Sequence, residues 1–107
     1  MIGEIDPAIH PPKRLAAMAI LNSSTSTDFS FLRTHLGVSD SDLSKQMTTL
    51  ETVGYVTITK TSRGRGGATT YRITSKGKKA FARHLAALRS IVGSIGVDED
   101  GRASAQG

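Results

Sequence analysis

LGVSDSDLSKQMTTLETVGYV, residues 36–56, is the stretch whose reading decides the fold. Gly37 can take the left-handed backbone conformation that ends one helix and turns the chain. Ser39 followed by Asp42 has the spacing of a helix start, where short oxygen-bearing side chains satisfy free N–H groups. A new helix therefore begins at Ser39 or Asp40 and runs to about Val53. Along it Leu43, Met47, Leu50 and Val53 recur at steps of four, three and three, which makes one apolar stripe. The opposite face carries Asp40, Ser41, Ser44, Lys45, Thr48 and Thr49, side chains that donate or accept hydrogen bonds. Gly54 closes the helix, and Tyr55-Val56 opens a strand.

Moving toward the N-terminus, residues 29–36 form a short helix with Phe29, Leu32 and Leu36 as core candidates, capped by Asp28 or Ser30. Phe31 on it is either core or an exposed aromatic. The polar run NSSTSTD at 22–28 is a loop. Before it, Pro12 suits the first position of a helix over residues 12–21, with Leu15, Met18, Ala19 and Leu21 inward and Lys13 and Arg14 in water. Ala16, Ala17 and Ile20 widen its apolar surface beyond one stripe. Residues 1–11 are an arm, broken by Asp6-Pro7 and His10-Pro11-Pro12, with room for one helical turn at Pro7 to His10.

Toward the C-terminus the period changes to two. Residues 55–60 and 69–73 alternate as paired strands, and SRGRGGA at 62–68 is a flexible hairpin tip. This glycine run lacks the lysine and the strand-to-helix setting of a nucleotide-phosphate loop. Thr74 caps a last helix that ends near Gly93, with Ala80, Phe81, His84, Leu85, Leu88, Ile91 and Val92 on its apolar side. The tail at 94–107 has little to bury and is expected to be disordered.

Composition narrows the function. A chain of 107 residues is one domain, and 37% hydrophobic content gives a modest core that a partner subunit would complete. Without cysteine there are no disulfides, thiolate metal sites or thiol redox sensing. No apolar run is long enough to span a membrane, and the N-terminus lacks the regions of a signal peptide, so a cytoplasmic location is expected. His10, His35 and His84 have no metal-ligand spacing, and no nucleophile-base arrangement or carboxylate pair stands out. Neither a cofactor, a metal nor enzymatic activity is expected. The net charge is +5. Between residues 60 and 89 the charged positions are Lys60, Arg63, Arg65, Arg72, Lys76, Lys78, Lys79, Arg83 and Arg89, with no acid among them. Such a block is either a solvated face or the footprint of a polyanion.

The order helix, helix, turn, helix, hairpin, helix is a winged helix-turn-helix, an α+β fold that is mainly α. It has a three-helix core, a two-stranded wing and a long C-terminal helix, within residues 12–93. The short polar helix face suits a major groove, and a glycine-rich tip with Arg63 and Arg65 suits the flanking backbone or minor groove. DNA-contact candidates are therefore Ser39, Asp40, Ser41, Ser44, Lys45, Thr48 and Thr49 on the helix. Lys60, Arg63 and Arg65 join them on the wing, and Lys76 at the last helix. Gln46 falls on the flank. Asp40 and Asp42 would repel phosphates, yet at a helix start each is favourable by roughly 0.3–1 kcal/mol. Asp42 is assigned that role; Asp40 is open, since an aspartate also accepts from a cytosine amino group. His35 is assigned to the surface or phosphate side, His84 to a dimer face.

Residues 36–56, with the pattern LG-x-S-x-x-x-L-S and LE-x-x-GYV, and residues 69–77, with TTYRIT-x-x-G, resemble the small winged helix DNA-binding proteins related to the MarR and ArsR classes of bacterial transcriptional regulators. The resemblance covers about residues 11–92. It implies a homodimer on a pseudo-palindromic double-stranded operator, usually as a repressor, joined through its first and last helices. Leu15, Ile20, Phe81, His84, Leu85, Leu88, Ile91 and Val92 are then the interface candidates. The tip at Gly66-Gly67-Ala68 is less basic than in such relatives, which shifts phosphate contact to Arg63 and Arg65. A small-molecule effector is not indicated. The rival readings are a protein-interaction module and a non-specific nucleoid-type DNA binder.

Overall fold

The computed structural model describes residues 4–61 and 68–94. Its elements run α1 (Pro12–Asn22), β1 (Thr27–Asp28), α2 (Phe29–Leu36), α3 (Asp40–Thr52), β2 (Val56–Lys60), β3 (Thr69–Ile73) and α4 (Ser75–Ser94). The helices and the wing strands fall within a residue or two of where periodicity and caps put them.

The local chemistry behind each boundary is visible. The Asp28 carboxylate accepts the Phe31 N–H at 2.7 Å and starts α2. Gly37, at φ 64°, ends it, and the N–H groups of Gly37 and Val38 both return to the Arg33 carbonyl. The Ser39 hydroxyl accepts the Asp42 N–H at 3.1 Å and starts α3. Thr74 joins two elements: its Oγ1 accepts from the Gly77 N–H at 2.9 Å and donates to the Gly54 carbonyl at 2.7 Å. Gly77 itself is required by proximity. A Cβ there would lie 2.2 Å from the Tyr55 carbonyl oxygen and 2.9 Å from Ile73 Cγ1. α4 is thus pressed against the turn that follows α3.

The sheet has three strands in the order β1-β3-β2, all antiparallel. The third strand corrects the expectation of a plain loop at residues 22–28. Thr27 pairs with Tyr71 and Asp28 with Thr70. Two residues are too few to leave an alternating signature, and the partner edge of β3 supplies the hydrogen bonds that fix them. In the hairpin Val56 faces Ile73 and Lys60 faces Thr69.

The core lies where α1, α2, α3 and the base of α4 meet the sheet. Met18, Leu32, Leu43, Met47 and Leu50 are fully buried, with Leu21, Val56, Tyr71, Ala80 and Phe81 close to it. In α1 the buried residues are Ala17, Met18 and Leu21, while Ala19 is exposed; the helix is turned slightly from the stripe read in sequence. The arm also contributes. A single turn, in which the Ile9 and His10 N–H groups reach the Asp6 carbonyl, drops Ile9 into the core with 0% exposure.

Candidate nucleic-acid interface

α3 has a stripe that is held and a face that is open. Leu43, Met47 and Leu50 are fully buried beneath it, while Val53 is half-buried. Ser39, Asp40, Ser41, Ser44, Lys45 and Thr48 are exposed together on the outside. Thr49 is half-buried, and its hydroxyl donates to the Lys45 carbonyl at 3.2 Å, which leaves it only as an acceptor toward a ligand. Ser44 and Thr48 line one side of a shallow groove; Phe29, Ile58, Lys60, Thr69 and Tyr71 line the rest. The open face of α3 therefore continues onto the base of the wing.

The flank of α3 that faces α1 is chemically closed. Arg14 donates to Gln46 Oε1 at 2.6 Å, Gln46 Nε2 donates to Asp42 Oδ1 at 2.9 Å, and Lys13 reaches Asp42 Oδ2. The hydrogen bond from Gln46, then that from Lys13, holds the Asp42 carboxyl below its ordinary range. Asp42 thus does not return to the Ser39 N–H as a full capping box would; only the Ser39 half of the motif forms. Asp40 forms an exposed ion pair with Arg33 at 3.2 Å, so its charge is partly offset where a phosphate would approach. This Arg33 partner was not read in the sequence, because α2 and α3 are brought together only by the Gly37 turn.

Lys60 is exposed at the end of β2. Just beyond it the hairpin is closed by Thr61 and Ala68, whose backbone and hydroxyl groups exchange bonds of 2.8 to 3.2 Å. Arg63 and Arg65 lie outside the described residues. Lys76 is exposed with its Nζ 5.8 Å from the centre of the Tyr55 ring, at the C-terminal end of α3, away from Ser41 and Ser44. His35 is exposed and stacks on Phe31, with ring centres 4.1 Å apart; Phe31 is itself 45% exposed and is not core.

The interface candidates divide. Phe81 and His84, assigned to a dimer face, are 5% and 0% exposed inside the single chain and are corrected to internal residues. The apolar side of α4 is covered within the chain over most of its length: Gly77, Ala80, Phe81, His84 and Ala87 are all buried. Leu15, Ile20, Leu85, Leu88 and Ile91 are half-buried, and Val92 is 38% exposed. Among the described residues no cluster of histidine and acidic side chains could hold a metal ion, and no helix is long and apolar enough to cross a membrane.

Comparison with known proteins agrees with this architecture. A family model described as a winged helix DNA-binding domain matches residues 13–92. A transcriptional regulator homologue from Pyrococcus horikoshii OT3 superposes with a TM-score of 0.75 at 25% identity, over 82% of this chain and 87% of that one. The YusO protein from Bacillus subtilis superposes at 0.68 with 21% identity, over 85% of this chain and 60% of that one. The M. tuberculosis transcriptional regulator MOSR, solved in complex with DNA, superposes at 0.65 with 18% identity, over 83% and 63%. At such identities the last two speak to the fold alone. Among curated proteins no sequence match is found.

Proposed function

As the chain belongs to the winged helix DNA-binding domain family, we propose that it is a homodimeric, sequence-specific transcriptional regulator of the MarR/ArsR kind, acting in the cytoplasm as a repressor. The observation that carries this reading is the joint exposure of Ser41, Ser44, Lys45 and Thr48 above a fully buried Leu43, Met47 and Leu50. A helix seated on one side and presenting short hydrogen-bonding groups on the other fits a major groove. Ser39 and Asp40 stand at its entry. Lys60, Arg63 and Arg65 contact the flanking backbone or minor groove, and Lys76 adds positive charge at the far end. Two protomers meet through α1 and the outer half of α4, with Leu15, Ile20, Leu85, Leu88, Ile91 and Val92 at the contact. Their recognition helices then enter half-sites of a pseudo-palindromic operator about 34–36 Å apart, one helical turn.

Footprinting on the promoter upstream of the protein's own gene tests this reading. Protection of two half-sites one turn apart, resistant to excess random duplex at physiological salt, is the expected result. Equal competition by random duplex would reduce the protein to a non-specific binder. Replacing Arg63 and Arg65 with alanine should weaken DNA binding; under the rival protein-docking reading the same change leaves partner binding intact.

A further inference from the structure

We propose that the N-terminal arm is an acid-released latch on the recognition helix, with the buried His84 as its trigger. The arm is tied to the turn that follows α3 and, through Arg14, to the middle of the helix. At the C-terminal end, Asp6 Oδ2 accepts the Tyr55 hydroxyl at 2.5 Å, immediately after the helix has turned into β2. Beside the middle of the helix, Arg14 Nε donates to the Ala8 carbonyl at 2.7 Å, and the same guanidinium holds Gln46 on α3 at 2.6 Å. A displaced arm would therefore free Tyr55 and remove one anchor of the arginine that fixes the flank of α3.

Two imidazoles hold the arm in place. The Asp6 backbone N–H donates to His84 Nδ1 at 3.1 Å. A backbone N–H can only donate, so His84 Nδ1 carries no proton, and the neutral ring carries its proton on Nε2. That Nε2 lies 3.4 Å from His10 Nδ1, with the rings edge to face at 5.3 Å. His10 Nδ1 is then the acceptor. The arrangement requires both rings to be neutral. A proton on His84 Nδ1 would set an N–H against the Asp6 N–H, and a proton on His10 Nδ1 would do the same at His84 Nε2.

The groups facing His84 are Asp6 and His10 from the arm. Tyr55 beyond α3 bonds the Asp6 carboxylate, Arg83 of α4 and Glu4 of the arm share a pocket with Asp6, and Arg14 of α1 holds the Ala8 carbonyl further along the arm. The Asp6 carboxylate favours the imidazolium. Burial opposes it most, and His10 opposes it next, so the His84 pKa lies below the ordinary 6.5. With the folded pKa depressed, the latch is complete above 6.5 and is lost as pH falls through the folded value.

The effect on DNA rests on the proposed function; the latch itself does not. Nitrogen-15-labelled full chain is followed by NMR from pH 8 to pH 5 at constant ionic strength. Imidazole correlations should show His84 in the Nε2–H form at pH 8. The exchange protection of the Asp6 amide should then fall by up to about tenfold per pH unit below the His84 pKa. His10→Ala should move that fall to higher pH, because it removes a group that opposes protonation of His84, and His84→Asn should abolish it. An Nδ1–H tautomer at pH 8, Asp6 protection that is flat with pH, or a midpoint unmoved by His10→Ala would each overturn the latch. Affinity for the promoter duplex, read by fluorescence anisotropy, should fall with Asp6 protection; constant affinity while the latch opens would overturn the coupling to α3. Absence of binding at pH 8 would instead sink the DNA reading, and leave the latch to be judged by NMR alone.

Discussion

The two flanks of α3 are built on opposite terms. Toward α1, the polar groups are paired: Arg14 with Gln46, Gln46 with Asp42, Lys13 with Asp42. On the outer face, Ser44, Lys45 and Thr48 make no side-chain hydrogen bond or ion pair among the described residues, and Ser41 has only a 3.4 Å neighbour in Ser39. A polar side chain without an internal partner contributes little to stability and is available to a ligand. One with two partners positions the helix and is not free to read a base. The contrast separates Gln46 from Lys45, which are adjacent in sequence and similar in length and polarity.

Substitutions can break this division, beginning with the buried side. Leu43→Ala removes a fully buried side chain beneath the helix and should cost about 2–5 kcal/mol in urea unfolding, with DNA affinity lost only as the fold is lost. Gly77→Ala forces a methyl group into the Tyr55 carbonyl and should cost about 1–3 kcal/mol by the same measurement. Ser44→Ala and Lys45→Ala should leave stability within about 0.5 kcal/mol. If they read bases, each should weaken binding to the preferred site by about 1–3 kcal/mol in anisotropy titrations, and less on random duplex. If Lys45 touches only phosphate, the loss will be uniform across sequences and the log-affinity against log-salt slope will drop by about 0.9. The smallest effect belongs to Asp42. Its carboxyl is held below the ordinary value of 3.8, so its contribution is present above that pH and is lost as pH falls through the lowered value. Asp42→Asn should flatten the acid limb of the stability curve, a change measurable by thermal melts between pH 5 and pH 2.

Sequence carried the held side of α3 almost completely. Periodicity identified Leu43, Met47 and Leu50, and the Gly37–Ser39 turn fixed where the helix starts, because both signals are local. The open face followed by subtraction. What sequence could not show are contacts between distant segments. The spacing from Ser39 to Asp42 reads as a capping box, but Lys13 and Gln46 compete for the carboxylate and win it. His84 sits correctly on an apolar stripe, yet a stripe does not say whether the chain or a second copy covers it; the arm, which places Asp6 and His10 against it, has no periodicity to reveal its position. β1 is invisible for a related reason, since two residues acquire strand geometry only from β3. Gly77 stands in the sequence only as the end of the TTYRIT-x-x-G pattern, and the approach of the Tyr55 carbonyl is what explains it.

That approach has a mechanical consequence. A helix separated from its neighbour by side chains can slide or tilt as they repack. Where backbone meets backbone with no side chain between, as at Gly77 and Tyr55, there is no compliant layer to absorb motion. The outer half of α4 therefore acts as a stiff lever whose fulcrum is the turn closing α3. In a dimer joined through α4, the angle at which the two levers cross would set the distance between the recognition helices. A change of one base pair in half-site spacing, about 3.4 Å along the duplex, would then have to be absorbed by bending of the DNA and not by the protein.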